Sequence, residues 1–495
     1  MEKNNGTIVE NDKEIDKEEK NAVNKQSDVE TIFEMLASRE VFYDQHKKEH
    51  IKVTHDGKKQ CFEIKSGKFK HWLYHSCWSD RGLAISESTV TKISNILRGE
   101  TMSKNLIIEM HNRVFKDDEA IWYDLSSEHA VKIQNDSWQI VDKSALIFAE
   151  YEHQKQQVYP CREGDIELIL DYLNVDMNYK ILFLVYLISC FVPNIPHPIL
   201  VLHGEKGAAK TTAAKLLKCL IDPSQLEVMS IPHRDSDFVQ TLSHHWFCNF
   251  DNISRLTNVQ SDMLCKAVTG DGNVKRKLYS NDDDVFCKYR TCVCLTGISN
   301  VAEKDDLIDR CIIVNLNRIT AEKRKSEEEL LSYFATDKPK ILGGIFDILS
   351  KAKTIRPGIS LKKVDRMADF VYWGYAIAEA IGGLGESFLV QYEQIKTASN
   401  LELLSDNVAC ALLIRYMANK DEWTGRSGEL LEKLIRESKK ISMELDIRTL
   451  AAAGNRLVYE LNRNKSNLEK YGKYFEIKRR VEYNYIHIKR TSITP

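Results

Sequence analysis

A glycine-rich segment near the middle of the chain has the residue types that bind phosphate groups. Its sequence, GEKGAAKTT, follows the apolar stretch ILVLH and precedes TTAAKLLKCLI, in which apolar residues recur at helical spacing. A strand, a glycine loop and a helix in this order turn backbone N–H groups and a helix N-terminus toward a phosphate. The sequence therefore predicts a nucleotide-binding loop made of Gly204, Glu205, Lys206, Gly207, Ala208, Ala209, Lys210, Thr211 and Thr212.

The last residues of this loop give it a specific chemistry. Lys210 would reach the β- and γ-phosphates of ATP, and the Thr211 hydroxyl would ligate Mg²⁺. Ala209 stands where the pattern GxxxxGK[ST] has glycine. Alanine adopts fewer backbone conformations than glycine, so the loop is more restricted at this position, although Gly207 keeps the conformational freedom of a glycine two residues earlier. The alternative is a chance glycine turn before a helix. The flanking strand and helix favour a site for ATP and Mg²⁺.

The next apolar strand, HWFCNFDN, ends in a carboxylate, Asp251, which is followed by Asn252. A carboxylate at the end of a strand beside a phosphate loop can hold the hydration shell of Mg²⁺. Asn252 replaces the glutamate that commonly acts as base for the attacking water, and an amide orients water without accepting its proton. We therefore predict that Asp251 binds metal and that hydrolysis lacks its usual base. The alternative is a core strand with an ordinary terminal Asp.

Two further residues complete a predicted catalytic set. The strand RTCVCLTGISN places Thr296 where P-loop ATPases of the AAA+ type carry a polar sensor residue, and Arg310 stands just before the apolar strand CIIVNL. In ring ATPases an arginine in that position reaches the γ-phosphate of the neighbouring subunit. A single arginine before a strand is otherwise an ordinary solvated charge, and the order of all four elements favours the catalytic interpretation.

A polar hairpin lies between the second and third of these strands. The segment NVKRKLYSNDDDVFCKYR carries Lys275, Arg276 and Lys277 on its first strand and turns at residues 280–283. Lysine and arginine there would contact DNA phosphates without reading bases. The acidic turn NDDD favours the alternative, a solvated edge hairpin, because carboxylates at the tip would repel DNA.

The whole chain must supply the elements that position these residues. It has 495 residues, 43% of them hydrophobic and 29% charged, with a net charge of −2, which excludes a disordered chain and a uniformly basic DNA-coating protein. Twelve cysteines without CxxC pairs indicate a reduced protein. The longest apolar run, residues 181–192, is shorter than the roughly 20 residues that span a bilayer. We therefore predict a soluble cytoplasmic protein with no membrane partner.

The order of elements predicts an α/β fold with several domains. A charged tail (1–28) precedes an α+β module (29–160), a helical linker (161–195) and an α/β core with a largely parallel sheet (196–320). A helical lid (321–405) follows, with helices predicted over 321–333, 340–353, 364–381 and 386–397. The last region, 406–495, has three predicted helices and two strands, the order of a winged helix.

These motifs together resemble the phage- and plasmid-associated ATP-binding proteins related to superfamily-3 and poxvirus-type primase–helicases. The matching segments, which extend over most of residues 29–400, are LVLHGEKGAAKTTAAKLLK, WFCNFDNIS, TGDGNVKRKLYSNDDDVF, LTGISNVAEKDDLIDR, RMADFVYW, KSGKFKHWLYHS and the strands HNRVF, WYDL and WQIV. The resemblance implies an AAA+ P-loop core in a hexameric ring that moves on single-stranded or forked DNA, with a separate primase or other replication protein as a further partner. Ala209, Asn252 and Thr296 depart from the ATPase pattern.

The C-terminal region carries basic residues that would form a second contact with DNA. Its third helix and the two strands carry Arg448, Arg456, Arg463, Lys478, Arg479, Arg480, Lys489 and Arg490. A basic face on a winged helix suits duplex or fork phosphates. An ordinary solvated surface is the alternative.

Two functions remain open from the sequence. One is an ATP-dependent DNA translocase or helicase of a mobile genetic element, which the hairpin and Arg310 favour. The other is an ATP-binding assembly or recruitment protein with weak hydrolysis and no unwinding, which Asn252 favours.

Overall fold

The computed structural model describes residues 27–55, 57–143, 148–270, 272–276, 284–297, 305–318, 326–362, 366–439, 454–470, 473–479 and 484–490. The chain divides into two compact units. The first comprises the described residues of 1–111, 142–149 and 276–285, and the second comprises the described residues of 112–141, 150–275 and 286–495.

The first unit packs three helices on a small antiparallel sheet. Its helices are α1 (Asp28–Met35), α2 (Gly67–Arg81) and α3 (Glu87–Lys104), and its strands, in the order β1-β2-β3, are β1 (Glu40–Tyr43), β2 (Glu49–His55) and β3 (Lys58–Glu63). Each helix begins at a serine whose hydroxyl accepts a backbone N–H of the first turn, a capping contact that stabilises a helix start. Apolar side chains from the three helices, β1 and β2 form one buried core, against which the partly buried Phe62 of β3 packs.

The second unit begins with an antiparallel four-stranded sheet in the order β4-β5-β6-β7. Its strands are β4 (Val114–Lys116), β5 (Ile121–Asp124), β6 (His129–Gln134) and β7 (Ser137–Asp142). Two short 3-10 turns, Glu167–Asp171 and Met177–Tyr179, then lead into α4 (Lys180–Ser189). Eight consecutive residues of α4 are buried, so the long apolar run that includes them forms a core helix.

A parallel four-stranded sheet with the order β13-β8-β12-β9 lies at the centre of this unit. Its strands are β8 (Ile199–His203), β9 (Phe247–Phe250), β12 (Cys292–Thr296) and β13 (Cys311–Asn315). The connecting helices are α5 (Lys210–Ile221), α6 (Asp235–His244), α7 (Asn258–Thr269) and α8 (Asp305–Ile308). The strands are apolar on both faces, as expected for a parallel sheet covered on both sides. The buried Cys292 and Cys294 belong to this core.

Strands β10 (Gly272–Arg276) and β11 (Asp284–Lys288) form a two-stranded sheet between α7 and β12. The described residues therefore include both strands of the predicted hairpin, whereas its turn lies outside them.

Three long helices follow the parallel sheet: α9 (Glu327–Ile355), α10 (Ala368–Gly382) and α11 (Gly385–Asp406). Two separate helices are predicted from the sequence over 321–333 and 340–353, and this is wrong for the described residues, because α9 runs continuously through Pro339. The segment before α4 forms backbone hydrogen bonds with α9 at this proline. The Cys161 N–H donates to the Pro339 carbonyl at 2.9 Å, and the Asp165 N–H donates to the Lys340 carbonyl at 3.1 Å. These tertiary hydrogen bonds fix the segment before α4 on the backbone of α9 at its proline.

The C-terminal region has its own buried core and a three-stranded antiparallel sheet in the order β14-β16-β15. Its elements are α12 (Val408–Tyr416), β14 (Glu422–Arg426), α13 (Ser427–Lys439), α14 (Gly454–Arg463), α15 (Lys465–Lys470), β15 (Lys473–Arg479) and β16 (Asn484–Arg490). The sequence predicts three helices and two strands here. The structure adds β14, which pairs with β16, and the short α15. That this region acts as a winged helix stays a prediction.

In the part of the chain that the structure describes, every helix is too short or too polar to cross a lipid bilayer.

Candidate functional site

The loop from β8 to α5 has a backbone that only small residues accommodate. Gly204 has φ +156°, and a Cβ atom there would lie 2.7 Å from the Leu316 carbonyl oxygen, so a side chain would collide with the strand end beside it. Gly207 has φ +88°. Ala209, at the N-cap of α5, has φ 56° and ψ 33°, the left-handed conformation that glycine adopts without strain. Ala209 thus has a left-handed backbone at the position where the GxxxxGK[ST] pattern has a glycine.

Lys210 is held against this loop. Its ammonium group donates to the carbonyl oxygen of Gly204 at 2.5 Å and to that of Glu205 at 3.0 Å. The side chain therefore folds back over the residues whose backbone would surround a phosphate. Glu205, Lys206 and Gly207 are exposed, so that a ligand can reach the loop from solvent.

Thr211, Asp251 and Thr296 lie together beside the loop. The Thr211 hydroxyl lies 3.0 Å from Asp251 Oδ1 and 3.1 Å from Oδ2, and the Thr296 hydroxyl donates to Asp251 Oδ1. Because β12 lies between β8 and β9 and all three strands are parallel, their C-terminal ends meet at one edge of the sheet. This sheet order brings together three residues that are far apart in the sequence.

Asn252 takes part through its backbone. Its N–H donates to Thr296 Oγ1 at 2.9 Å, and the following N–H, of Ile253, donates to the Thr296 carbonyl at 2.8 Å. Asn252 has φ 56°, a conformation that asparagine tolerates better than most residues, and it is exposed. Thr296, which is 2% exposed, thus fixes both the Asp251 carboxylate and the turn that follows it.

The oxygen atoms of this cluster suit Mg²⁺. The ion prefers oxygen ligands and is commonly held in proteins by one or two side chains, with waters and substrate phosphates completing its octahedron. A threonine hydroxyl and a carboxylate in contact, next to a loop of backbone N–H groups, provide such a set. Within the described residues, no three His, Cys, Asp or Glu side chains form a metal-binding group of their own.

Arg310 lies at the opposite edge of the parallel sheet. It precedes Cys311, which pairs with Ile199 at the start of β8, whereas the loop begins after the end of β8. At about 3.3 Å per residue these two edges are roughly 15 Å apart, so the structure does not bring Arg310 to the loop of its own chain.

An acidic residue holds Arg310 at that edge. One guanidinium nitrogen lies 2.5 Å from Asp306 Oδ1 and donates to the Asp306 carbonyl at 2.6 Å. Arg366 approaches the same Oδ1 at 2.6 Å. Two arginines therefore share one carboxylate, Arg310 with a side chain 15% exposed and Arg366 with one 60% exposed.

The predicted DNA-contacting residues are described only in part. Lys275 and Arg276 are the last two residues of β10, and Lys277 lies outside the described residues. Of the basic C-terminal residues, Arg463 ends α14 and Lys489 is exposed on β16, while Arg448 and Arg480 lie outside the described residues.

The structure also contains a buried ionic network behind the site, which the sequence did not predict. Lys218 Nζ lies 2.7 Å from Asp222 Oδ2, 3.2 Å from His245 Nδ1 and 2.7 Å from the Phe247 carbonyl, and Arg113 Nε donates to Asp222 Oδ1 at 3.0 Å. Burial opposes ionisation of Asp222, but the adjacent Lys218 and Arg113 cations outweigh it and lower the pKa of this carboxyl.

This network joins the end of α5, which begins with Lys210 and Thr211, to the start of β9, which leads into Asp251. The i, i+4 spacing of Lys218, on α5, and Asp222, just after its end, is a sequence signal for the pair. Nothing local pointed to Arg113, whose contact spans 109 residues of sequence.

Comparisons with known proteins cover most of this second unit. Residues 166–392 match the sequence model of the actinomycete integrative conjugative element replication protein. Residues 408–495 match the model of the C-terminal domain of that protein, RepA. None of the curated protein sequences matches the chain.

Among solved structures, the chain has a distant likeness to one titled "SCCmec type IV Cch - active helicase", at 12% identity and a TM-score of 0.44, over 91% of this chain and 93% of that one. Another is the A form apo structure of the NrS-1 C-terminal region, at 13% identity and a TM-score of 0.40, over 94% and 100% of the two chains. Over its central and C-terminal regions, the chain is thus similar in sequence to replication proteins of actinomycete integrative conjugative elements.

Proposed function

We propose that the chain is an ATP-dependent DNA translocase or helicase that serves the replication of a mobile genetic element. The observation that carries this proposal is the contact of Thr211 and Thr296 with Asp251, beside a loop on which the Lys210 ammonium group lies at the start of a helix. A hydroxyl, a carboxylate and an ammonium group around one loop form the set that binds a nucleoside triphosphate with its metal.

Each residue has a role that follows from its position. Loop N–H groups and the N-terminus of α5 would bind the phosphates, and Lys210 would exchange its two carbonyl partners for phosphate oxygens. Thr211 and Asp251 would hold Mg²⁺, which when bound supplies positive charge to the phosphate oxygens. Thr296 is a positioning residue, because its hydroxyl fixes the Asp251 carboxylate and the backbone of Asn252.

The attacking water would be oriented rather than deprotonated. Asn252 is exposed at the end of β9 and its amide can bind water, but it cannot take a proton. We therefore expect slow turnover for the ATPase.

Hydrolysis would depend on assembly. Arg310 lies at the edge of the sheet remote from its own loop, so it could reach a γ-phosphate only on a neighbouring subunit of a ring. A hexamer with the nucleotide between subunits provides that arrangement, and such an arginine stabilises the charge that develops on the transferred phosphoryl group.

The DNA would be contacted by phosphate-binding residues. Lys275, Arg276 and Lys277 would line the channel of the ring, and the basic C-terminal region would bind the entering single-stranded or forked DNA. The sequence similarity to replication proteins over 166–392 and 408–495 supports DNA as the substrate. A separate primase or other replication protein would be a further partner.

A second candidate function is an ATP-binding assembly protein that hydrolyses ATP weakly and does not unwind DNA. Asn252 favours it, because the residue following Asp251 is an amide where a base is expected.

ATP turnover with and without single-stranded DNA separates the two functions. We expect slow hydrolysis that DNA stimulates, and loss of ATP binding in Lys210→Ala, since the loop then lacks the ammonium group that lies on its backbone. Lys92→Ala, which removes an exposed cation of α3 outside the loop, is the control and should keep ATP affinity within a few fold. Unchanged affinity and turnover in Lys210→Ala would disprove the site. Turnover indifferent to DNA would favour the assembly protein.

Replacement of Lys275, Arg276 and Lys277 by alanine tests the hairpin. ATP binding should remain, while stimulation by DNA is lost and the dependence of DNA affinity on salt becomes less steep. If the triple variant keeps its full stimulation by DNA, the hairpin is structural.

A further inference from the structure

Helix α2 of the first unit has two different faces. Phe69, Leu73 and Cys77 are buried in the core of that unit. On the opposite side, at spacings of three, four, three and three residues, lies a row of exposed side chains, which we call the α2 stripe: Lys68, His71, His75, Trp78 and Arg81. These spacings keep all five on one side of a helix. The stripe extends over about 20 Å at 1.5 Å per residue.

The stripe has no acidic member. In the part of the chain that the structure describes, none of its five side chains forms an ion pair. The nearest carboxylates along the chain are engaged elsewhere: Asp80 lies 3.3 Å from His55, Glu63 lies 3.1 Å from Lys48, and Glu87 pairs with Lys70. The stripe therefore presents positive charge to solvent without compensation from its neighbours.

Trp78 adds an exposed aromatic ring to this positively charged stripe. Its side chain is 64% exposed, although indole is among the groups that gain most from burial. An exposed indole on this stripe offers a flat surface on which a base can stack, while the cations Lys68 and Arg81 contact phosphates. Both faces of a base in a duplex are already stacked, so a single strand can use the indole and a duplex cannot.

We propose that the α2 stripe binds single-stranded DNA, with a base on Trp78 and phosphates on Lys68 and Arg81. The proposal goes beyond the function proposed above, because it needs neither nucleotide nor hydrolysis and involves residues outside both stretches that match the replication-protein models. It remains testable in a Lys210→Ala background.

Fluorine NMR of the full-length protein tests the contact directly. The protein is labelled with 5-fluorotryptophan, and the Trp78 resonance is identified by its loss in Trp78→Phe. Addition of a 20-nucleotide oligo(dT), without ATP, should shift or broaden this resonance. A Trp78 signal that does not change at saturating oligo(dT), or that changes equally with a 20-base-pair duplex or with polyglutamate, would overturn the proposal.

Affinity measurements complete the test. By fluorescence anisotropy, Trp78→Ala should weaken oligo(dT) binding about tenfold, within the range for one stacked base, and Trp78→Phe should weaken it less. Lys68→Ala with Arg81→Ala should reduce the slope of log K against log salt by about 1.4, as for two phosphate contacts on a single strand. The matched control, Lys92→Ala with Met102→Ala on exposed positions of α3, should change neither quantity. Affinities and slopes equal to wild type in all the α2 variants would also overturn the proposal.

Discussion

At the scale of single residues, Ala209 carries a conformational cost that its glycine counterpart would avoid. A left-handed backbone costs an L-residue about 1–2 kcal/mol, whereas glycine adopts it without strain. We expect Ala209→Gly to raise the melting temperature of the nucleotide-free protein slightly, because the strain relieved exceeds the added entropy of the unfolded chain. Ala209→Val should lower it, since a β-branched residue is disfavoured further at positive φ.

Calorimetry of the three proteins side by side checks this expectation. A lower melting temperature for Ala209→Gly than for wild type would mean that the alanine methyl group contributes packing that outweighs its strain.

How far the sequence predicts the site depends on how local each contact is. The loop residues follow one another, so the strand–loop–helix pattern predicts a helix from Thr211, one residue after its observed start at Lys210, and the unusual position of Ala209. The direct contact of Thr296 with Asp251 requires β12 to lie between β8 and β9, a non-local pairing that spacing along the chain does not encode.

At the scale of elements, α9 depends on two glycines for its close packing. A Cβ atom on Gly343 would lie 1.8 Å from the Cys161 carbonyl oxygen, and one on Gly344 would lie 2.6 Å from the Ile166 nitrogen. The chain before α4 therefore lies directly on the backbone of α9, beside its hydrogen bonds to the Pro339 and Lys340 carbonyls. The break predicted between 333 and 340 includes Pro339, and nothing in the sequence indicates these tertiary contacts.

We expect Gly343→Ala to destabilise the protein by at least about 2 kcal/mol, because overpacking against backbone cannot be relieved by a rotamer change. Gly358→Ala is the matched control: no atom lies within 4 Å of its added Cβ, and stability should change by less than about 0.5 kcal/mol. Urea denaturation of both variants measures the difference. Equal stabilities would show that the 161–166 segment moves away from α9 at little cost.

The histidines beside the buried network make stability depend on pH. Burial, and then the Lys218 ammonium, lower the pKa of His153 to about 4 and of His245 to about 3. In the unfolded chain a histidine titrates near 6.5, so below that pH the unfolded state binds more protons than the folded state. Stability is therefore full above pH 6.5 and falls as the pH decreases toward 4. The lowered pKa of Asp222 adds its own loss only below about pH 4.

We expect the melting temperature to fall between pH 7 and pH 5, and to fall less in His153→Gln with His245→Gln, which cannot take up these protons. An identical fall in the His153 and His245 double variant would assign the pH dependence to other groups.

At the scale of the whole molecule, the position of Arg310 leads to a prediction about subunits. Its own loop is at the far edge of the sheet, and Asp306 holds its guanidinium in place. If Arg310 acts on a neighbour, Arg310→Ala and Lys210→Ala each abolish turnover in pure form, since every interface then lacks either the arginine or the loop lysine. An arginine supplied in this way contributes about 10³–10⁵ in rate in related phosphoryl-transfer reactions.

Mixing the two inactive proteins distinguishes action on a neighbour from a structural role. In a ring of randomly mixed subunits at equal amounts, about a quarter of the interfaces combine an intact Lys210 with an intact Arg310 from the next subunit, because the contact is head-to-tail. Turnover should therefore recover to roughly a quarter of wild type after subunit exchange. A mixture of Arg310→Ala with Arg310→Lys, which restores no such interface, is the control. Full activity in pure Arg310→Ala would instead leave Arg310 as the partner of Asp306 alone, and a mixture without recovery would exclude action across a subunit interface.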